Sequence, residues 1–107
     1  ALPELAGVQT TFRADVPQAE KAGIWADIRA IEAAVPGFLA VHIGVNVSPE
    51  TGMDKGFSEG FILDFDGPVA RDAYLVHPDH QKAGGRIVAA AEGGVAGILV
   101  YDIEIPG

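Results

Sequence analysis

Two neighbouring segments with the side-chain period of a β-strand are the strongest constraint on how this sequence can fold. In the segment 38–47, one side of the predicted strand carries Leu39, Val41, Ile43, Val45 and Val47, and the other carries Phe38, Ala40, His42, Gly44 and Asn46. In the segment 57–65, Phe57, Glu59, Phe61, Leu63 and Phe65 alternate with Ser58, Gly60, Ile62 and Asp64. The turn-rich segment 48–56 separates them. The pair predicts two central strands.

Helical patterns flank this pair of strands. Before it, Ile24, Ile28, Ile31 and Val35 recur at helical spacing behind a start at Pro17, and Val35-Pro36-Gly37 ends the predicted helix. After it, Pro68 opens a second helix that His77-Pro78 must interrupt and that resumes from Asp79 to Glu92. Segments 5–13 and 95–105 have strand composition at the two ends of the chain.

The predicted order of elements is β-α-β-β-α-β, which is the ferredoxin-like plan of the α+β class. This plan places a four-stranded antiparallel sheet under two helices that share one face. The strands carry apolar side chains on both sides, so we expect a second copy of the chain to cover the free face and form a dimeric α/β barrel. The 107 residues are expected to form one domain, 1–107.

Composition excludes several classes of function. The formal charge is −8 and the seven basic residues are scattered, so binding to nucleic acid or to an anionic membrane surface is not expected. There is no cysteine, which rules out disulfides and thiolate chemistry. Neither a zinc-type ligand spacing nor a glycine-rich phosphate loop occurs, so we expect no metal and no cofactor. Carbonyl and carboxylate oxygens could hold Mg²⁺ or Ca²⁺, but the sequence singles out no ligands. Without a signal-peptide pattern, the cytoplasm is the default location.

The sequence also resembles a known family in several motifs. These are Val35-Pro36-Gly37-Phe38, Asn46-Val47-Ser48-Pro49-Glu50, Lys55-Gly56-Phe57, the run from Tyr74 through His77-Pro78 to His80, and Val100-Tyr101-Asp102. In these motifs and their spacing, the chain is similar to the stress-responsive A/B-barrel domain (Dabb) family. The resemblance implies a homodimer with a barrel of two sheets inside and the helices outside.

The resemblance further implies candidate catalytic residues. In cyclase-like members of the family, a tyrosine and a histidine act together on a polyketide thioester, and their positions match Tyr74 and His80. A histidine that is common on the family's first strand is missing, because Ala6 or a neighbour stands there. Gly84-Gly85 occupy positions where the family usually has bulky apolar residues beside the pocket. Both departures weaken the case for the same reaction.

The chemistry of the two candidates is compatible with proton transfer. His80 follows a helix start, whose positive dipole end disfavours imidazolium, so a neutral His80 could act as a general base. The Tyr74 hydroxyl could then donate a hydrogen bond to an enolate oxygen. His77, His42 and Phe61 are further candidates, for substrate binding. A structural alternative stands beside each: His77 as a helix cap, His80 and His42 in packing, and Tyr74 and Phe61 in the core.

Three hypotheses for function remain open at this point. The first is a cofactor-free, cyclase- or lyase-like protein whose apolar pocket binds or transforms a small hydrophobic carbonyl compound. The second is a non-catalytic, stress-associated dimer in which the histidines are structural. The third is an oxygenase-like relative that acts on quinol-type substrates, supported by fold analogy alone. A pocket beside Tyr74 and His80 distinguishes the first from the second.

Overall fold

The computed structural model describes residues 1–106, which form a four-stranded sheet covered on one face by helices. The elements in chain order are β1 Glu4–Thr10, α1 Gln18–Glu32, β2 Phe38–Val45, β3 Glu59–Phe65, α2 Pro68–Val76, α3 Pro78–Ala90, a short 3₁₀ turn Gly94–Gly97, and β4 Ile98–Glu104. The strand order across the sheet is β2-β3-β1-β4, and every neighbouring pair is antiparallel. This is the predicted ferredoxin-like α+β arrangement.

The predicted second helix is two helices in the structure. α2 ends at Val76 and α3 begins at Pro78, so the break at His77-Pro78 is confirmed and three helices cover the sheet instead of two. The pair Gly84-Gly85 lies inside α3 without interrupting it, although each glycine costs a helix roughly 1 kcal/mol relative to alanine.

The predicted side-chain alternation in β2 is wrong at its start. A β-bulge separates Phe38, which is opposite Phe65, from Ala40, which is opposite Asp64. The bulge inserts Leu39 as an extra residue and therefore turns Phe38 to the helix-covered face, together with Val41 and not with His42.

One predicted boundary of each of the four strands differs from the structure by two residues or more. β2 ends at Val45, and β3 begins at Glu59, because Phe57 and Ser58 belong to the connecting loop. β1 ends at Thr10, before the predicted end at Arg13. β4 begins at Ile98, since the glycines around Val95 form the 3₁₀ turn that precedes it.

The core lies between the helices and one face of the sheet. Ile24, Ile28 and Ile31 of α1 are fully buried there, as the predicted spacing requires, and they meet Leu63 and Phe65 of β3. At the surface, α1 and α3 are joined by an ion-pair cluster. In this cluster, Arg86 of α3 donates to Glu20 at 3.0 Å and to Asp27 at 2.5 Å, and both acidic residues lie on α1.

The opposite face of the sheet, which we call the open face, carries no helix. The register of the strands assigns it Leu5, Gly7, Gln9, Ala40, His42, Gly44, Gly60, Ile62, Asp64, Leu99, Tyr101 and Ile103. Four large apolar side chains among these are 43–64% exposed: Ile62, Leu99, Tyr101 and Ile103. Exposed apolar clusters of this kind mark interaction surfaces. Within residues 1–106, no helix is long and apolar enough to cross a membrane.

Candidate functional site

The break between α2 and α3 is built by His77 and Pro78. His77 has an extended backbone (φ −66°, ψ 134°), as a residue before proline prefers, and its N–H still closes α2 on the Tyr74 carbonyl. Its Nδ1 accepts a hydrogen bond from the Asp79 N–H at 3.1 Å, which caps the first turn of α3. Pro78 takes the first helical position, where a missing N–H costs nothing.

This break brings the two catalytic candidates together. The rings of Tyr74, near the end of α2, and His80, in the first turn of α3, have centroids 4.3 Å apart with 53° between their planes. Tyr74 is buried at 3% exposure, with Phe38 and Phe65 each 5.4 Å from it between ring centroids. Aromatic packing on one side therefore holds Tyr74 in place, and His80 covers part of its other side.

Both side chains line a cavity of about 430 Å³ between α2, α3 and the helix-covered face of the sheet. Its lining is predominantly apolar and includes Ala6, Val8, Phe61, Leu63, Phe65, Ile87 and Val88. The lining also includes Leu75 and Val100. These two residues and Val88 are 40–62% exposed, so the cavity opens towards the edge of the sheet at β4. A volume of this size is typical of small-molecule sites.

His80 is held in its neutral form by burial. Desolvation lowers the pKa of His80 from its usual value of 6.5, because burial disfavours the charged imidazolium. The Nδ1 atom is buried and has no hydrogen-bond partner within residues 1–106. Because the buried Nδ1 is closed off from a ligand, Nε2 is the ring nitrogen that a ligand could contact. The sequence predicted the same direction of shift from the helix dipole, but the physical cause in the structure is desolvation.

Tyr74 is held in its protonated form. Burial raises the pKa of the Tyr74 phenol well above its usual value of 10, and the negative charge of Asp102 raises it further. The neutral His80 and the protonated Tyr74 thus form a pair of an acceptor and a donor across neutral pH. Two groups whose environments push their pKa values apart are a frequent feature of proton-transfer sites.

Two charged residues at the cavity differ in how their charges are balanced. Arg71 pairs with Glu4 at 2.7 Å and with Asp72 at 3.0 Å, so its charge is compensated. The side-chain carboxylate of Asp102 on β4 has no ion-pair or hydrogen-bond partner within residues 1–106. The site is consequently better suited to neutral ligands than to carboxylates or phosphates.

The three predicted substrate-binding residues lie in different places. Phe61 is buried, packs edge-on against Trp25 with ring centroids 5.8 Å apart, and forms part of the cavity wall. His77 caps α3 and is not among the residues that line the cavity. His42 is on the open face, 2.9 Å from Asp64, where it borders a separate recess of about 580 Å³ under the loop 46–58.

The sequence alone did not assign Arg71 or Asp102 to the site, although both line the cavity. The available signal for Asp102 was its carboxylate in a mostly apolar terminal strand, where Glu104 is the only other acidic residue. The family resemblance had already placed Gly84 beside the pocket, and the structure confirms that Gly84 lines the cavity. No group of three or more His, Asp or Glu side chains that could hold a metal ion occurs within residues 1–106.

Fold and site together define a ferredoxin-like α+β protein with an apolar cavity beside a tyrosine–histidine pair. The chain belongs to the stress responsive A/B barrel domain (Dabb) family, whose sequence profile matches residues 8–105. No curated protein sequence is significantly similar to the chain.

Solved structures show the same fold over nearly the whole chain. A dimeric ferredoxin-like protein of unknown function from Jannaschia sp. CCS1 is 30% identical, with 96% of this chain and 99% of that one covered and a TM-score of 0.89. A hydroxynitrile lyase from Passiflora edulis is 16% identical, with coverages of 98% and 94% and a TM-score of 0.82. A cofactor-independent oxygenase from Streptomyces nogalater is 17% identical, with coverages of 100% and 96% and a TM-score of 0.74.

The lowered pKa of His80 predicts how this residue titrates. The chain has three histidines, and the ring signal of His80 is the one that disappears from the NMR spectrum of His80→Asn. We expect its titration midpoint below 6.5, because burial disfavours the imidazolium. The free energy of unfolding that His80 contributes is then fully present above pH 6.5 and is lost as the pH falls through the folded-state pKa. A midpoint at or above 6.5 would contradict the desolvated environment.

Proposed function

We propose that this protein binds a small, neutral, hydrophobic carbonyl compound in the cavity and transfers a proton on it without a cofactor. The observation that carries the proposal is the contact between Tyr74 and His80 in the wall of an apolar cavity of about 430 Å³. A cavity lined by apolar side chains with a few convergent polar groups is the usual form of a small-molecule site.

The proposed step uses one acceptor and one donor. Neutral His80 removes a proton from the carbon next to the carbonyl through Nε2. The C–H electron pair forms a C=C bond, and the π pair of the C=O bond moves onto the oxygen, which gives an enolate and an imidazolium. The Tyr74 hydroxyl donates a hydrogen bond to that oxygen as its negative charge develops. The enolate can then take a proton back or attack a second carbonyl group of the same molecule, which would be a cyclisation.

The lowered pKa of His80 has two opposite effects on this step. It favours the deprotonated base at pH 7, so more molecules are active than with an unperturbed histidine, and it also makes the imidazole a weaker base. The raised pKa of Tyr74 ensures that its proton is present over the same pH range. The same fold occurs in two enzymes, a hydroxynitrile lyase and a cofactor-independent oxygenase, so the fold is compatible with catalysis.

The second part of the proposal is a homodimer formed through the open face. Ile62, Leu99 and Tyr101 leave apolar surface there that no helix covers, and a second copy would remove it from water. The related protein from Jannaschia sp. CCS1 is described as dimeric. Pairing of two such faces would produce the dimeric barrel expected for the family.

Proton transfer can be tested without knowing the natural substrate. With 2-heptanone in D₂O at pH 7, we expect the wild-type protein to accelerate deuterium incorporation next to the carbonyl, measured by ¹H NMR. His80→Ala should lower the protein-dependent rate on the order of 10²-fold or more, because it removes the base. The rate should rise with pH through the pKa of His80 and then level off.

Tyr74→Phe should lower the same rate on the order of 10²-fold, because the enolate loses its donor. Tyr101→Phe is the matched control, since it removes the same hydroxyl from the open face and should leave the rate unchanged. Equal rates for wild type, His80→Ala and Tyr74→Phe would refute proton transfer at this pair. Exchange no faster than in buffer would leave the non-catalytic dimer as the better description.

The dimer predicts a difference between two lysine substitutions. Sedimentation should give the wild type twice the subunit mass of 11.1 kDa. Ile62→Lys should shift the protein towards monomer, because it would bury a charge at the centre of the open face. Val69→Lys is the control, as Val69 is 82% exposed on α2, away from the open face. A monomeric wild type, or an Ile62→Lys variant as dimeric as Val69→Lys, would argue against this interface.

A further inference from the structure

One stripe of α3 faces the cavity, and a glycine lies in its middle. His80, Gly84, Ile87 and Val88 all line the cavity and follow the spacing of residues on a single helix face. His80 begins the stripe one turn before Gly84, and Ile87 and Val88 continue it one turn after. Gly84 is thus the position of α3 between the proposed base and the apolar wall.

The space beside Gly84 is empty. A Cβ atom built on Gly84 would meet no heavy atom within 4 Å, outside its immediate neighbours and the backbone of its own helix. Gly84 also does not have the positive φ that would require a glycine. Neither close packing nor backbone conformation therefore explains a glycine inside this helix, where it lowers helix stability.

We propose that Gly84 determines the size of the ligand that the cavity accepts. This inference rests on the proposed function and deepens it: the ligand is a neutral carbonyl compound with a bulky or extended apolar part. That part would occupy the space beside α3 that a side chain at position 84 would otherwise fill. The missing side chain thereby makes room for the ligand.

The geometry of helical side chains places this effect next to His80. A side chain on a helix leans towards the preceding turn, and the turn before Gly84 on the same face carries His80. A larger residue at position 84 would therefore fill the space next to the proposed base. It would exclude long or wide ligands and leave room for short ones.

Gly85 supplies a matched control. It is the next residue in the same helix, it is exposed, and a Cβ built on it also meets nothing within 4 Å. It does not line the cavity. Substitutions at positions 84 and 85 therefore change the helix propensity in the same way, but only those at position 84 change the cavity.

The experiment measures the affinity of 2-alkanones from 2-pentanone to 2-decanone, from ligand-induced shifts of the His80 ring signal. For the wild type, affinity should rise by up to about fourfold per methylene. For Gly84→Leu, this rise should stop at a shorter ketone and 2-decanone should bind at least about tenfold more weakly than to the wild type, since three to four methylenes lose their space. Gly85→Leu should follow the wild type within about twofold.

The outcomes separate the two proposals. If the wild type binds the series and Gly84→Leu gives the same length dependence, the role of Gly84 is refuted and the proposed function stands. If the wild type binds no ketone, both are refuted.

Circular dichroism verifies the fold of each variant. If Gly84→Leu does not fold, the binding of 2-decanone is compared between Gly84→Ala and Gly85→Ala. Weaker binding by Gly84→Ala alone supports the inference, and equal binding by the two variants overturns it.

Discussion

The break at His77-Pro78 is the constraint on which the site depends. A continuous helix would carry Tyr74 and His80 six residues apart, on different sides of one rod. Because proline ends α2 and starts α3 in a new direction, the two rings come within 4.3 Å of each other and both face the sheet. His77 stabilises this arrangement by closing one helix with its backbone and capping the next with its ring.

The same arrangement sets the electrostatics of the site. Aromatic packing by Phe38 and Phe65 removes Tyr74 from water and keeps its proton on, while burial keeps the proton off His80. The sheet contributes the opposite wall, where Asp102 adds an uncompensated negative charge at the mouth of the cavity. These features favour a neutral ligand that accepts a hydrogen bond from Tyr74 and gives up a proton to His80.

Much of the fold could be predicted because its signals are local. The isoleucine spacing of α1, the alternation in β3 and the proline at the helix break each follow from a few neighbouring residues. The bulge at Leu39 could not be predicted, since the preceding Pro36-Gly37 indicate only the end of α1 and the bulge depends on pairing with β3. The cavity could not be predicted from the sequence either. It needs β4, from the far end of the chain, to bring Val100 and Asp102 beside α3, and it needs the empty space at Gly84. The proximity of Tyr74 and His80 came from a family resemblance, and the roles of both residues stay proposals.

The proposed function requires that ligands enter the cavity on the helix-covered side of the sheet. The most direct measurement is a titration of the ¹⁵N-labelled protein with 2-heptanone, followed by amide NMR shifts. Binding in the cavity predicts saturable shifts centred on His80, Gly84 and Val100, which surround it. Shifts confined to the recess of the open face, at Gly44, Ser48 and Lys55, or no saturable shifts at all, would contradict it.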